Sequence, residues 1–342
     1  MKRVLITGSA GFIGFHLSQY YLIKGWKVFG IDSFTSYYDV KLKRRRSKIL
    51  EKNKHFTLEE FCLTKRSKVT RACCNFKPNL IIHLAAQAGV RYSIENPQAY
   101  VDCNIIGTFN LLEAAKKINC EHTLIASTSS VYGANLKTPY REIDKTDHQL
   151  SFYAATKKSV EVMSHTYAHL FKLPITCFRF FTVYGPWGRP DMAPIIFVSR
   201  IADKKPINIF NRGKMKRDFT YIDDLVEGIY RLSNQKPRIE MLLKHKIKND
   251  SLSPVAPWRV VNIGRGEPFG LMEFIEIIEE KLGIKAEKNF VALGKGEVVE
   301  TYADNSLLKA LTGYHPKTSL PYGVEQLVGW YIEYSKSERI LS

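Results

Sequence analysis

An α/β fold built on a doubly wound parallel sheet, with a smaller C-terminal α/β lobe, is what this sequence predicts, and three observations predict it. Short β-rich runs alternate with amphipathic helical stretches up to Phe180, and those runs are apolar almost throughout, as strands covered on both faces must be. The first run leads straight into a turn of spaced glycines. After Phe180 the pattern breaks, where Pro186, Gly188, Pro190 and Pro194 crowd one stretch.

In chain order, strands are expected at Arg3–Thr7, Lys27–Asp32, His55–Leu58, Leu80–Ala85, His122–Ser127 and Ile175–Phe180. Helical periodicity fills the intervals at Phe12–Lys24, Ser67–Phe76, Tyr100–Lys117 and Ala154–Leu170. The polar, proline-bearing stretch 235–257 reads as a surface excursion, followed by a strand at Arg259–Ile263 and a helix at Leu271–Leu282. This divides the chain into a nucleotide-binding domain, residues 1–181 with 213–234 returning to it, and a substrate-binding lobe from 182–212 and 235–342.

The totals exclude several classes. The chain has 342 residues, 45% of them hydrophobic, with no apolar run approaching the ~18 residues that cross a bilayer. No signal peptide stands at the N-terminus, since Gly8 interrupts the first apolar run, so a cytoplasmic enzyme without a membrane partner is expected. Cys62, Cys73, Cys74, Cys103, Cys120 and Cys177 lack metal-ligand spacing and read as reduced thiols; the nine histidines show no such spacing either. A formal charge of +18 raises nucleic acid as a partner, but the charge is dispersed. Its densest run, Lys41–Lys48, reads as a solvated helical face, so no nucleic-acid site is expected.

The chemistry lies in three motifs. Gly8, Gly11 and Gly14 join the first strand to the first helix, Gly8 for the tight turn, Gly11 for close approach to a pyrophosphate and Gly14 for helix–strand packing. Unpaired N–H groups and the helix dipole make that N-terminus an anion site of Rossmann type. Phe12 and Ile13 belong to the same turn. Asp32 ends the second strand, where a carboxylate bonds ribose hydroxyls and repels a 2′-phosphate, which favours NAD over NADP. The run Ser127-Thr128-Ser129-Ser130 follows the fifth strand, at the end where ligands of open α/β sheets bind. Tyr153 and Lys157, four apart, share one helix face. A tyrosine ordinarily ionises near pH 10, and a neighbouring ammonium with the positive nicotinamide ring favours the phenolate.

With these motifs in place, the chain resembles the extended branch of the short-chain dehydrogenase/reductases, and within it the nucleotide-sugar epimerases that act on UDP-glucuronate at C4. The likeness also rests on the segments 83–93, 179–192, 214–224, 261–264 and 300–304 and spans nearly the whole chain. It implies Tyr153 as base for the sugar 4-hydroxyl, Thr128 as hydrogen-bond partner of the same oxygen, and Lys157 as holder of the nicotinamide ribose that lowers the tyrosine pKa. It implies Leu84, Ala85, Ala86, Asn104 and Ser127 around NAD, and Arg91, Arg189 and Arg217 with Ser129, Ser130 and Thr182 around a UDP-sugar.

Within that resemblance, Ser129 and Ser130 occupy the places where 4,6-dehydratases carry an Asp-Glu pair, and decarboxylases carry glutamate at the position of Ser130. UDP-galactose epimerases tend to have Asn where Thr182 stands. Hydroxyls at all these positions suit a C6 carboxylate, which favours the uronate. A UDP-hexose or UDP-N-acetylhexosamine 4-epimerase and a non-catalytic NAD-binding scaffold stand as alternatives. Two departures are Cys62, where relatives have aspartate beside the adenine, and the segment 294–297, where Lys295 is expected to replace a phosphate-binding arginine. Relatives pair as homodimers through helices corresponding to Tyr100–Lys117 and Ala154–Leu170.

Overall fold

A computed structural model describes residues 1–241, 247–292 and 298–341. The strands run β1 (Arg3–Thr7), β2 (Lys27–Asp32), β3 (Phe56–Glu60), β4 (Leu80–His83), β5 (His122–Ala126), β6 (Ile175–Phe180), β7 (Thr182–Tyr184), β8 (Ile207–Phe210), β9 (Lys216–Tyr221), β10 (Trp258–Ile263), β11 (Pro268–Gly270), β12 (Lys288–Val291) and β13 (Glu300–Thr301). Seven of them form one parallel sheet in the order β10-β6-β5-β4-β1-β2-β3. Strand order reverses between β1 and β4, and that switch point opens the crevice in which such sheets bind ligands.

Period-two alternation explains why the strands are apolar throughout. In β1, Val4 and Ile6 pack with Phe12, Phe15 and Leu17 on one face, while Leu5 packs with Val69, Leu111 and Ala114 on the other. Val4, Leu5 and Ile6 are fully buried, and the one buried polar residue of the strand, Thr7, has its hydroxyl hydrogen-bonded.

The smaller lobe gathers β7, β11 and β13 around β9, with β8 and β12 pairing separately. Its centre is the buried Asp218. The carboxylate accepts from the backbone N–H of Arg265 at 2.7 Å, Gly266 at 2.9 Å and Ala303 at 3.1 Å, and from the Thr220 hydroxyl at 3.1 Å. Four donors offset the cost of burying this charge.

The expected division of the chain differs from the topology at two places. Within 213–234 only the helix Ile222–Ser233 returns to the large domain, where Tyr21 of the first helix donates to Ser233 at 2.8 Å; β9 stays in the small sheet. Within 235–342, β10 leaves the lobe and extends the large sheet beside β6. An edge position needs only one covered neighbour, so nothing in the local sequence of β10 reveals which sheet it joins.

Two helices also depart from expectation. Tyr100–Lys117 is not one regular helix: residues Val101–Ile106 form a π-helical turn before Gly107–Lys117 continues. Such turns frequently sit at functional sites. The helix Val40–Glu51 forms, but its basic face is not simply solvated, since Lys43 and Arg46 are buried.

Burial keeps three imidazoles neutral: His83 is pushed down to about 3, His16 and His122 to about 4. Burial pushes Glu142 the other way, to about 7. Between about pH 6.5 and 4.5 the unfolded chain therefore binds three imidazole protons that the folded one refuses, while folded Glu142 holds one that the unfolded chain releases. Among these four groups the balance favours unfolding as pH falls, by about 3 kcal/mol per pH unit. Urea midpoints measured at pH 7 and pH 5 are expected to drop accordingly, and an unchanged midpoint would contradict this assignment.

Candidate active site

The glycine turn meets the switch point at close quarters. Gly8 has φ +71°, and a Cβ there would stand 2.9 Å from the backbone nitrogen of Ala85. At Gly14 a Cβ would lie 2.0 Å from the Gly8 carbonyl oxygen, so the glycine turn itself would have to shift to admit it. The helix Phe12–Ile23 carries no side-chain cap at its N-terminus, so its free N–H groups face the crevice mouth. This cradle fits a dinucleotide pyrophosphate. Gly14→Ala is expected to yield folded protein without bound nucleotide, read from the absorbance of nucleotide released on denaturation.

Beside it, Asp32 accepts from Ala10 N–H at 3.0 Å and from Phe34 N–H at 2.9 Å, so its carboxylate also shapes the turn that follows β2. The floor is held by Thr7, whose hydroxyl oxygen accepts from the N–H of Leu84 at 3.2 Å and Ala85 at 3.1 Å. With both acceptor positions taken, Thr7 donates its proton to His83 Nδ1 at 2.7 Å, leaving His83 Nε2–H to donate to Thr108 at 2.8 Å. This chain fixes a neutral tautomer under the crevice.

The second helix of the site, Phe152–Phe171, begins at Ser151, whose hydroxyl caps Ala154 N–H at 3.1 Å. Tyr153 and Lys157 therefore lie in its first two turns, both buried. Tyr153 lies beside Thr128, whose hydroxyl donates to Ser130 at 3.2 Å, and packs edge-on against Tyr100, ring centroids 6.0 Å apart. Burial raises the phenol pKa, and Thr128 and the Arg189 charge oppose that rise. The Lys157 ammonium donates to the Ala126 carbonyl at 2.9 Å, and burial pushes its pKa down to about 8.

One cavity of about 870 Å³ collects most of the expected residues. Its wall carries Gly8, Gly11, Phe12, Ile13, Gly14, Asp32, Leu84, Ala85 and Ala86 on one side, and Thr128, Ser129, Ser130, Tyr153, Lys157 and Thr182 deeper in. Arg91, Arg189 and Arg217 line its outer part, Arg91 lying 4.1 Å over the ring of Phe210. Two residues do not reach it. Asn104 is turned by the π-helical turn to grip Gln87 through both its N–H, at 2.9 Å, and its carbonyl, at 3.1 Å, and to donate to Thr156 at 3.0 Å. Ser127 is fully buried and donates to Glu161 at 2.6 Å. Both stand behind the wall and position it. Lys295 lies outside the described residues.

Sequence reasoning missed the clamp over this cavity. Arg189 bonds Asp191 through two nitrogens, one at 3.1 Å and the other at 2.5 Å, and lies within 6 Å of the rings of Tyr37 and Tyr38. Arg46 donates to the carbonyls of Ala10 at 3.0 Å, Trp187 at 2.5 Å and Gly188 at 3.1 Å, and to Tyr38 Oη at 3.0 Å. One guanidinium thus ties the glycine turn to the loop after β7.

Residues 4–241 match the NAD dependent epimerase/dehydratase family. The chain belongs to that family. A probable UDP-glucuronate 4-epimerase of Rhizobium meliloti is 52% identical over 329 residues, covering 96% of each chain. UDP-glucuronate 4-epimerase 4 of Arabidopsis thaliana is 42% identical, the match covering 98% of this chain and 76% of the plant protein. Among solved structures, the UDP-glucuronic acid 4-epimerase of Bacillus cereus in complex with UDP-glucuronic acid and NAD superposes with a TM-score of 0.86 at 35% identity, over 97% of this chain and 99% of the other. Beneath the crevice of this epimerase/dehydratase lies a wholly buried ion pair, Glu161 with Arg179, two bonds of 2.8 Å, on which Ser127 also rests. Among the described residues no cluster of three His, Cys, Asp or Glu could hold a metal, and no helix is long and apolar enough to cross a membrane.

Proposed function

We propose that this epimerase/dehydratase interconverts UDP-glucuronate and UDP-galacturonate by inverting C4 through a transient 4-keto sugar. The observation that carries the reading is the set of hydroxyls, Ser129, Ser130 and Thr182, lining the same cavity as Tyr153, Thr128 and Lys157 with no carboxylate among them. The 52% identity to the Rhizobium meliloti protein supports the same substrate.

NAD held in the glycine cradle supplies a reversible hydride acceptor for C4. Tyr153, as phenolate, takes the 4-hydroxyl proton, and Thr128 hydrogen-bonds the same oxygen. The 4-keto sugar turns about its pyrophosphate, anchored by Arg189 and Arg217, where planar guanidinium groups suit paired phosphate oxygens. The turned ketone offers its opposite face to the returning hydride, and Tyr153 gives its proton back to the 4-oxygen. The hydroxyls of Ser129, Ser130 and Thr182 hold the C6 carboxylate and oppose loss of carbon dioxide from the β-keto acid, because decarboxylation has to move that charge into the ring. The chain works in the cytoplasm as a homodimer, its contact formed by the exposed Phe109, Val162, Leu170 and Phe171 on the helices Gly107–Lys117 and Phe152–Phe171.

Running the reaction in deuterium oxide tests this route. The product is expected to keep protium at C4, since the hydride never exchanges with solvent. Deuterium at C4 would replace this route with a proton-transfer mechanism.

A further inference from the structure

Two thiols from distant parts of the chain meet on the wall of the nucleotide crevice. Cys62 follows β3 and Cys103 lies in the π-helical turn, and both line the cavity in half-buried positions. Their segments are tied together: Asn110 donates to the Leu63 carbonyl at 2.9 Å, and Leu63 packs so closely on Gly107 that a Cβ added there would stand 3.2 Å from its own. Phe61 N–H donates to the Asp32 carbonyl at 3.0 Å, which sets Cys62 beside the strand that carries the ribose-binding carboxylate. The two thiols act on one another's protons, and Thr64 acts on Cys62 as well. Cys62 is pushed down to about 5 and Cys103 is pushed up, so the pair releases its first proton readily and holds its second. Burial instead pushes Cys73, Cys120 and Cys177 up, to about 12, 11 and 12.

We propose that Cys62 and Cys103 form a peroxide-responsive pair on the adenosine side of the crevice, closing to a disulfide in the nucleotide-free enzyme and shielded when the crevice is filled. The Cys62 thiolate attacks one oxygen of hydrogen peroxide, the O–O bond breaks, and the departing hydroxide takes a proton to leave as water. Cys103 then attacks the resulting sulfenic acid, its proton leaves with the hydroxyl as a second water, and the S–S bond forms. Two thiols are oxidised and one peroxide is reduced. The shielding rests on the NAD site proposed above, whereas the chemistry of the pair does not.

The test treats purified protein with hydrogen peroxide, once stripped of nucleotide and once reloaded with NAD, and maps disulfides by non-reducing peptide mass spectrometry. A peptide linked through Cys62 and Cys103 is expected in the stripped protein, forming about tenfold more slowly with NAD bound. Cys103→Ser is expected to stop the reaction at a sulfenic acid on Cys62 that dimedone traps. Absence of the linked peptide, with Cys62 alkylated no faster than Cys74, would overturn the proposal. Equal rates in protein shown to contain NAD would overturn the placement of the pair under the cofactor. Failure to bind NAD at all would instead overturn the cofactor reading, and the stripped sample still decides the pair.

Discussion

Tyr153→Phe is expected to lower kcat by about a thousandfold, with the fold and the bound nucleotide retained. The change removes one oxygen beside Thr128 and keeps the ring that packs edge-on against Tyr100. Cavity volume hardly changes, so the loss belongs to proton transfer. If Tyr153 is the base, KM for UDP-glucuronate stays within about threefold of wild type, because the anchoring arginines are untouched. A variant retaining a tenth of wild-type kcat would remove Tyr153 from the role of base. Thr128→Val gives the complementary reading: the hydroxyl that opposes the rise of the Tyr153 pKa is gone, so the alkaline shift of the phenol goes unchecked and the rate profile moves to higher pH.

The second large effect is on stability. Glu161→Ala leaves Arg179 buried without its carboxylate and Ser127 without its acceptor. Breaking such a pair from one side costs about 3–5 kcal/mol, a large share of the ~5–15 kcal/mol that holds a domain folded. The loss spreads further, since Arg179 also lies 4.8 Å over the Tyr132 ring, and Tyr132 donates to Asn262 at 2.7 Å on β10. Urea unfolding of Glu161→Ala beside Glu161→Gln checks this: the glutamine keeps the shape and one accepting oxygen, for Ser127 and Arg179 Nε, while its amide NH2 replaces the oxygen that accepts from Arg179 Nη2, and it is expected to lose less than alanine. Equal, small losses in both would show that the pair contributes little.

The glycine turn, the Tyr153–Lys157 pair and the hydroxyl run were legible in the sequence because each is local, its meaning carried by spacing along one turn or one helix face. The inner strands of the large sheet were legible for the same reason, as β1, β2, β4, β5 and β6 are short, largely apolar runs alternating with helices. What sequence could not show depends on partners far apart in the chain. Arg46 read as part of a solvated charge run, yet it reaches carbonyls up to 142 residues away. The resemblance implies Asn104 and Ser127 near the cofactor, but it does not carry the long-range bonds by which Asn104 grips Gln87 and Ser127 meets the buried Glu161 carboxylate. The contact between Cys62 and Cys103 arises only once β3 and that turn are packed together. The affiliation of β10 is likewise a matter of tertiary pairing.

The most direct measurement is proton NMR of the purified protein with UDP-glucuronate and no added NAD. UDP-galacturonate signals are expected to grow until the two sugars reach equilibrium, because the cofactor is regenerated in every cycle and stays in its cradle. Turnover of UDP-glucose or UDP-N-acetylglucosamine with UDP-glucuronate left untouched, or a UDP-4-keto-pentose as the main product, would contradict the assignment.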